Sequence, residues 1–162
     1  MGSITTSKRA VAGVAVLLVS ACAGMHVSPL APPPFRAGIQ APYDAAWGGL
    51  VHALAKGNIP LRAIARDSGV IASDEFVTPI GLFADCGRLG DDRIEGEALV
   101  SFTIFTEDNG PETRLLINSK MRTHAFRRGS SGKLRPTPVY QCASTGRFEA
   151  NLLDAVQEPV KK

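Results

Sequence analysis

The chain is predicted to adopt an α+β fold, an antiparallel sheet of four to five strands flanked by an N-terminal and a C-terminal helix. Three observations lead there. Residues 42–56 and 144–158 each carry apolar side chains at helical spacing. Residues 97–106 alternate strictly, and residues 113–125 return across Asp108-Asn109-Gly110. Two shorter runs, 61–66 and 70–76, flank Asp67-Ser68-Gly69, a turn signal between strand-like segments.

The first helix has Trp47, Leu50, Val51 and Leu54 at i, i+3, i+4 and i+7, a single apolar stripe. Asp44 lies in its first turn, where a negative charge suits the helix dipole. Gly57 is the expected stop, with Asn58 and Pro60 beyond. The stretch 77–94 reads as irregular chain around Cys86. In the strand 113–125, Leu115, Ile117, Met121 and Ala125 share one face, and Arg114, Asn118, Lys120, Arg122 and His124 share the other. Residues 127–138 read as a polar, mobile loop, and 138–143 as a last short strand. Ser144 or Thr145 caps the second helix, whose stripe is Phe148, Leu152, Leu153 and Val156.

The chain has 162 residues. Lys8 and Arg9 precede an apolar run from residue 10 to residue 19. Such a run is shorter than the roughly 20 residues that cross a bilayer, and it suits the apolar region of a signal peptide. It ends in Val19-Ser20-Ala21-Cys22. This tetrapeptide resembles a bacterial lipobox. The resemblance implies cleavage before Cys22, lipid on its thiol, and acylation of the new N-terminus. Three acyl chains make such an anchor effectively permanent. Ala23, in place of an aspartate, implies outer-membrane sorting, with the periplasmic side favoured over the cell surface. The alternative is an ordinary secretory signal with Cys22 incidental. The domain plan is therefore a signal peptide at 1–21, a lipidated cysteine and Pro-rich tether at 22–41, and one α+β domain at 42–162.

After cleavage, 16 basic residues stand against 15 acidic ones. So even a balance argues against nucleic acid as partner. The charges are unevenly spread. Residues 67–112 hold eleven acids and two bases, and residues 114–147 hold eight bases and no acid. Arg114, Lys120, Arg122, His124, Arg127 and Arg128 make a candidate basic interaction face. Either the two blocks complement each other within the fold, or the basic one meets an acidic partner or lipid headgroups.

Cys86 and Cys142 are an even pair for an oxidising compartment, and a disulfide is expected between them. The alternative is a nucleophilic or metal-binding cysteine. His26, His52 and His124 have no ligand-like spacing to either. Asp91, Asp92, Glu95 and Glu97 lack the spaced loop ligands of a calcium site. No metal or cofactor is expected, and no catalytic motif is present.

Ala41-Pro42-Tyr43-Asp44-Ala45-Ala46-Trp47, followed by Asp67-Ser68-Gly69-Val70-Ile71, resembles the helix-grip domains of bacterial envelope lipoproteins. The C subunit of the outer-membrane β-barrel assembly machine is the best-known case, so the resemblance is BamC-like. It covers about 35 residues and implies a helix-grip-like fold and an envelope location, with no catalytic residue. The expected function is a non-enzymatic, membrane-anchored accessory or scaffold protein docking on another envelope protein. The alternative is a binding module for an apolar or anionic small ligand such as a lipid, held in a cavity lined by Trp47, Phe102 and Phe148.

Overall fold

The computed structural model describes residues 25–128 and 131–157. In chain order the elements are β1 (His26–Val27), β2 (Phe35–Ile39), α1 (Tyr43–Lys56), β3 (Leu61–Ala65), β4 (Val70–Ser73), β5 (Phe76–Pro79), β6 (Ala84–Asp85), β7 (Arg88–Leu89) and β8 (Asp92–Arg93). Then follow β9 (Glu97–Asn109), β10 (Glu112–Thr123), β11 (Phe126–Arg128), β12 (Leu134–Pro136), β13 (Gln141–Ser144) and α2 (Arg147–Gln157).

The fold is built on one long hairpin. β9 and β10 pair without a break from Asn109↔Glu112 to Ala98↔Thr123. Their alternation is clear in sequence because one face is buried and the other is not. At the turn end, β4 joins β9 and β2 joins β10, with β3 outside β4. At the other end, β5 joins β9 and β13 joins β10, with β6 outside β13.

The expected four- to five-stranded, helix-flanked sheet is overturned. The chain is mostly β, about 45% strand and 20% helix, with an eight-stranded antiparallel sheet and a separate three-stranded one. The reason is the length of β9 and β10. They run on past the helices, and their exposed edges recruit β5, β13 and β6. Those strands have two to four residues, too few to show a period in sequence. The stretch 77–94, expected to be irregular, therefore contains most of β5 and all of β6, β7 and β8. The expected loop at 127–138 holds the small hairpin β11–β12.

Both helices lie on the inner face of the sheet. Ala46, Trp47, Leu50 and Leu54 of α1 meet Phe148, Leu152 and Val156 of α2 over Ile39, Ile71, Phe102, Ile104, Leu115 and Ile117. Each large side chain so buried contributes roughly 1.5–3 kcal/mol. α1 ends as expected near Gly57, but the left-handed residue is Asn58. Asparagine tolerates that conformation through its short polar side chain. A second, smaller core of Ala84, Cys86, Ala98, Val100 and Met121 sits at the far end of the hairpin. No helix among the described residues is long and apolar enough to cross a membrane.

Candidate functional site

Because both described helices cover the inner face, the outer face of the sheet has none of the described helices over it. Strand register sets what lies there. Arg36, Leu116, Phe105 and Val70 form one row across β2, β10, β9 and β4. Gly38, Arg114 and Glu107 form the next row toward the turn. Toward the other end come Lys120 beside Ser101, then Gln141, Arg122, Leu99 and Val77. The face is thus a mixture of apolar and basic groups.

Near the turn this face is hollowed. A groove of about 440 Å³ lies among Arg36, Phe105, Glu107, Glu112, Arg114 and Leu116. A second hollow of about 630 Å³ shares Phe105, Glu107 and Arg114 and adds Tyr43 and Arg66. The groove depends on Gly38. A Cβ there would come within 1.7 Å of Glu112 Oε1, so any side chain would displace that carboxylate. Gln40 Nε2 donates to the same oxygen at 3.1 Å. Arg66 is ion-paired with Asp44. Arg36, Arg114 and Lys120 make no ion pair or side-chain hydrogen bond to any described residue. Guanidinium groups that pair with no described residue, beside half-buried apolar side chains, suit carboxylates on a protein partner, which they bind in bidentate fashion.

The structure distributes the candidate basic residues as follows. Arg114, Lys120 and Arg122 share the outer face of β10. Arg122 is engaged by Glu75, through Nε at 3.2 Å and Nη2 at 2.9 Å. His124 lies just beyond β10, with Nδ1 3.3 Å from Glu97 Oε2. Arg127 and Arg128 fall in β11, and Cys22 lies outside the described residues. Arg36, absent from the candidate set, joins the face because β2 pairs with β10. No sequence pattern links Arg36 to Leu116 across 80 positions. The acidic and basic blocks are neighbours rather than separate poles, with Arg114 directly opposite Glu107.

Cys86 and Cys142 are disulfide-bonded. Cys86 is fully buried, in the second core. The bond joins the loop leading to β7 with the strand leading to α2, and β1 is drawn into the same place. His26 donates from Nε2 to the Cys86 carbonyl at 3.0 Å, and its ring stacks on Tyr140 at 4.1 Å. Because a carbonyl only accepts, Nε2 carries the proton, and Nδ1 faces the Ser28 hydroxyl at 3.4 Å. Gly87 makes this closure sterically possible. Its φ is +79°, and a Cβ would lie 2.0 Å from the Val27 carbonyl.

Glu149, in the first turn of α2, is a buried carboxylate that the apolar stripe Phe148, Leu152, Leu153 and Val156 did not reveal. It is 3% exposed and accepts from the Ser119 hydroxyl at 2.6 Å and the Ser144 hydroxyl at 2.8 Å. The three residues tie α2 to β10 and β13. Trp47, Phe102 and Phe148, which would line the cavity of the alternative ligand-binding reading, are buried in the main core, and the Phe102 and Phe148 rings lie 4.8 Å apart. Among the described residues, no group of three or more His, Cys, Asp or Glu side chains is placed to hold a metal ion. No protein-family model matches the chain, and no curated protein is significantly similar to it.

Proposed function

We propose that the chain is a membrane-anchored envelope lipoprotein, non-enzymatic, that docks on another envelope protein through the outer face of its sheet near the β9–β10 turn. The observation that carries this reading is the row Arg36, Leu116, Phe105 and Val70, with Arg114 beside it. It combines half-buried apolar side chains with cations that pair with no described residue, the mixture that protein interfaces favour. Val19-Ser20-Ala21-Cys22 supports the anchor, and the Cys86–Cys142 bond suits an oxidising compartment. Ala23 favours the outer membrane, with the domain in the periplasm. The resemblance of residues 41–74 to a subunit of an envelope assembly machine suggests a partner of the same kind.

The test is site-specific photocrosslinking in native membranes. A photoreactive residue at Leu116 should yield one discrete protein adduct, which Arg114→Glu abolishes. The same probe at His52, exposed on α1, should yield none. Absence of any adduct at Leu116, Phe105 and Arg36 would count decisively against docking through this face.

A further inference from the structure

We propose that the disulfide end of the domain rests directly on the bilayer, with Met25, Val27, Leu30, Leu89 and Val139 entering the headgroup layer. The inference rests on Cys22 being the lipid-bearing residue.

Chain reach carries the argument. Cys22 precedes His26 by four residues. An extended chain covers at most ~3.6 Å per residue, so the anchor lies within ~14 Å of His26. His26 is in turn fixed to the body of the domain. It pairs with Leu89, bonds to the Cys86 carbonyl and stacks on Tyr140. The Met25 carbonyl also accepts from Gly90 N–H at 3.2 Å. Cys86 is covalently joined to Cys142. Pro29, Pro32, Pro33 and Pro34 come after this attachment, so they link β1 to β2 rather than the anchor to the domain. Only Ala23, Gly24 and Met25 remain as spacer, too few to hold the domain off the membrane.

The surface at this end suits the bilayer. Leu30 is 95% exposed and Met25 78%, and Val27, Leu89 and Val139 are exposed as well. Met25 and Val27 belong to or adjoin β1, Leu30 follows it by three residues, Leu89 pairs with His26, and Val139 precedes Tyr140, on which His26 stacks. Apolar side chains grouped in this way mark an interaction surface. Burial of such side chains at the acyl boundary drives interfacial binding. Because the anchor makes the contact intramolecular, a weak one suffices. Charge adds little to it. Arg88 and Arg93 stand beside Asp91 and Asp92 in the β7–β8 hairpin, so a zwitterionic bilayer is an adequate surface. β9 has 13 residues, so at ~3.3 Å each the hairpin spans about 40 Å. The groove around Arg114 then lies at the end remote from the anchor.

The test uses the full chain produced in a bacterial host and reconstituted in phosphatidylcholine vesicles that carry a phospholipid with a diazirine near its headgroup. Intact mass is measured first. Absence of acyl mass on the N-terminal peptide overturns the anchored reading and this inference with it. With acyl mass present, photolysis should give lipid adducts on the peptides holding Leu89 and Val139, which are separate from the acylated one, and none on the peptide holding Gly110. Adducts confined to the acylated peptide overturn the inference and leave the anchor standing. In a Met25→Asp, Leu30→Asp variant, adducts at Leu89 and Val139 should be lost, and their persistence would also overturn it. Both substitutions are at exposed positions, and the retained disulfide mass confirms that the variant folds.

Discussion

At its turn end, the β9–β10 hairpin is covered by two helices and buries Ile39, Ile71, Ile104 and Ile117. At its other end it is flanked by strands of two to four residues, a small core and one disulfide. The first end buries enough apolar surface to hold itself. The second has Ala84, Ala98 and Val100 where the first has isoleucine and leucine. Cys86 can stay in place there because its covalent bond limits how far the unfolded chain carries it from Cys142. The comparison teaches that a chain can extend a sheet beyond its helical cover if it adds a crosslink where burial runs out.

Removing the crosslink is expected to have the largest effect. The Cys86→Ser, Cys142→Ser variant opens a loop whose ends are 56 positions apart and should lose roughly 4 kcal/mol in urea unfolding. Amide exchange should rise first in β1, β6, β7 and β13, while α1 and β4 stay protected. Uniform loss of protection would break the two-ended description. Leu50→Ala, in the main core, should lower stability by about 3 kcal/mol through a lost side chain and the cavity left behind. Its effect on exchange should be strongest at the turn end, the reverse of the cysteine variant.

Glu149→Ala tests the join between the two ends, because Ser119 and Ser144 would lose their shared acceptor. A loss of about 2 kcal/mol is expected, with Glu149→Gln milder because its amide oxygen still accepts. The smallest effect should be at the surface. Arg122→Ala removes a half-exposed pair with Glu75 and should change stability by less than about 1 kcal/mol. A larger loss would mean that this pair, rather than the disulfide alone, holds the far end of the hairpin.

How much was legible in the sequence follows the same division. α1, β9, β10 and α2 were readable because each buries one face over several residues, which imposes a period of 3.6 or 2. Of the expected stripes, Trp47, Leu50, Leu54, Phe148, Leu152 and Val156 are buried, and Val51 and Leu153 are half-buried against the same core. β5, β6, β7 and β8 were not readable. Two to four residues cannot display a period; β5, β6 and β7 form against strands distant in sequence, and β8 only closes a two-residue hairpin on β7. The glycines at 81, 87 and 90, all at positive φ, break the stretch into turns before any pattern can build. The outer face was half legible. Arg114, Lys120 and Arg122 alternate along one strand, but Arg36 reaches them only through pairing of β2 with β10.

By itself the sequence determined the elements with long-range periodicity, the two blocks of charge and the pairing of the only two cysteines downstream of Cys22. Each of these is local or combinatorial, and needs no knowledge of what lies opposite. Tertiary structure alone decided the eight-strand width, the burial of Glu149 and the fastening of His26 beside the disulfide. Those depend on which backbone edges and side chains come to face one another, and no local pattern along the chain displays that.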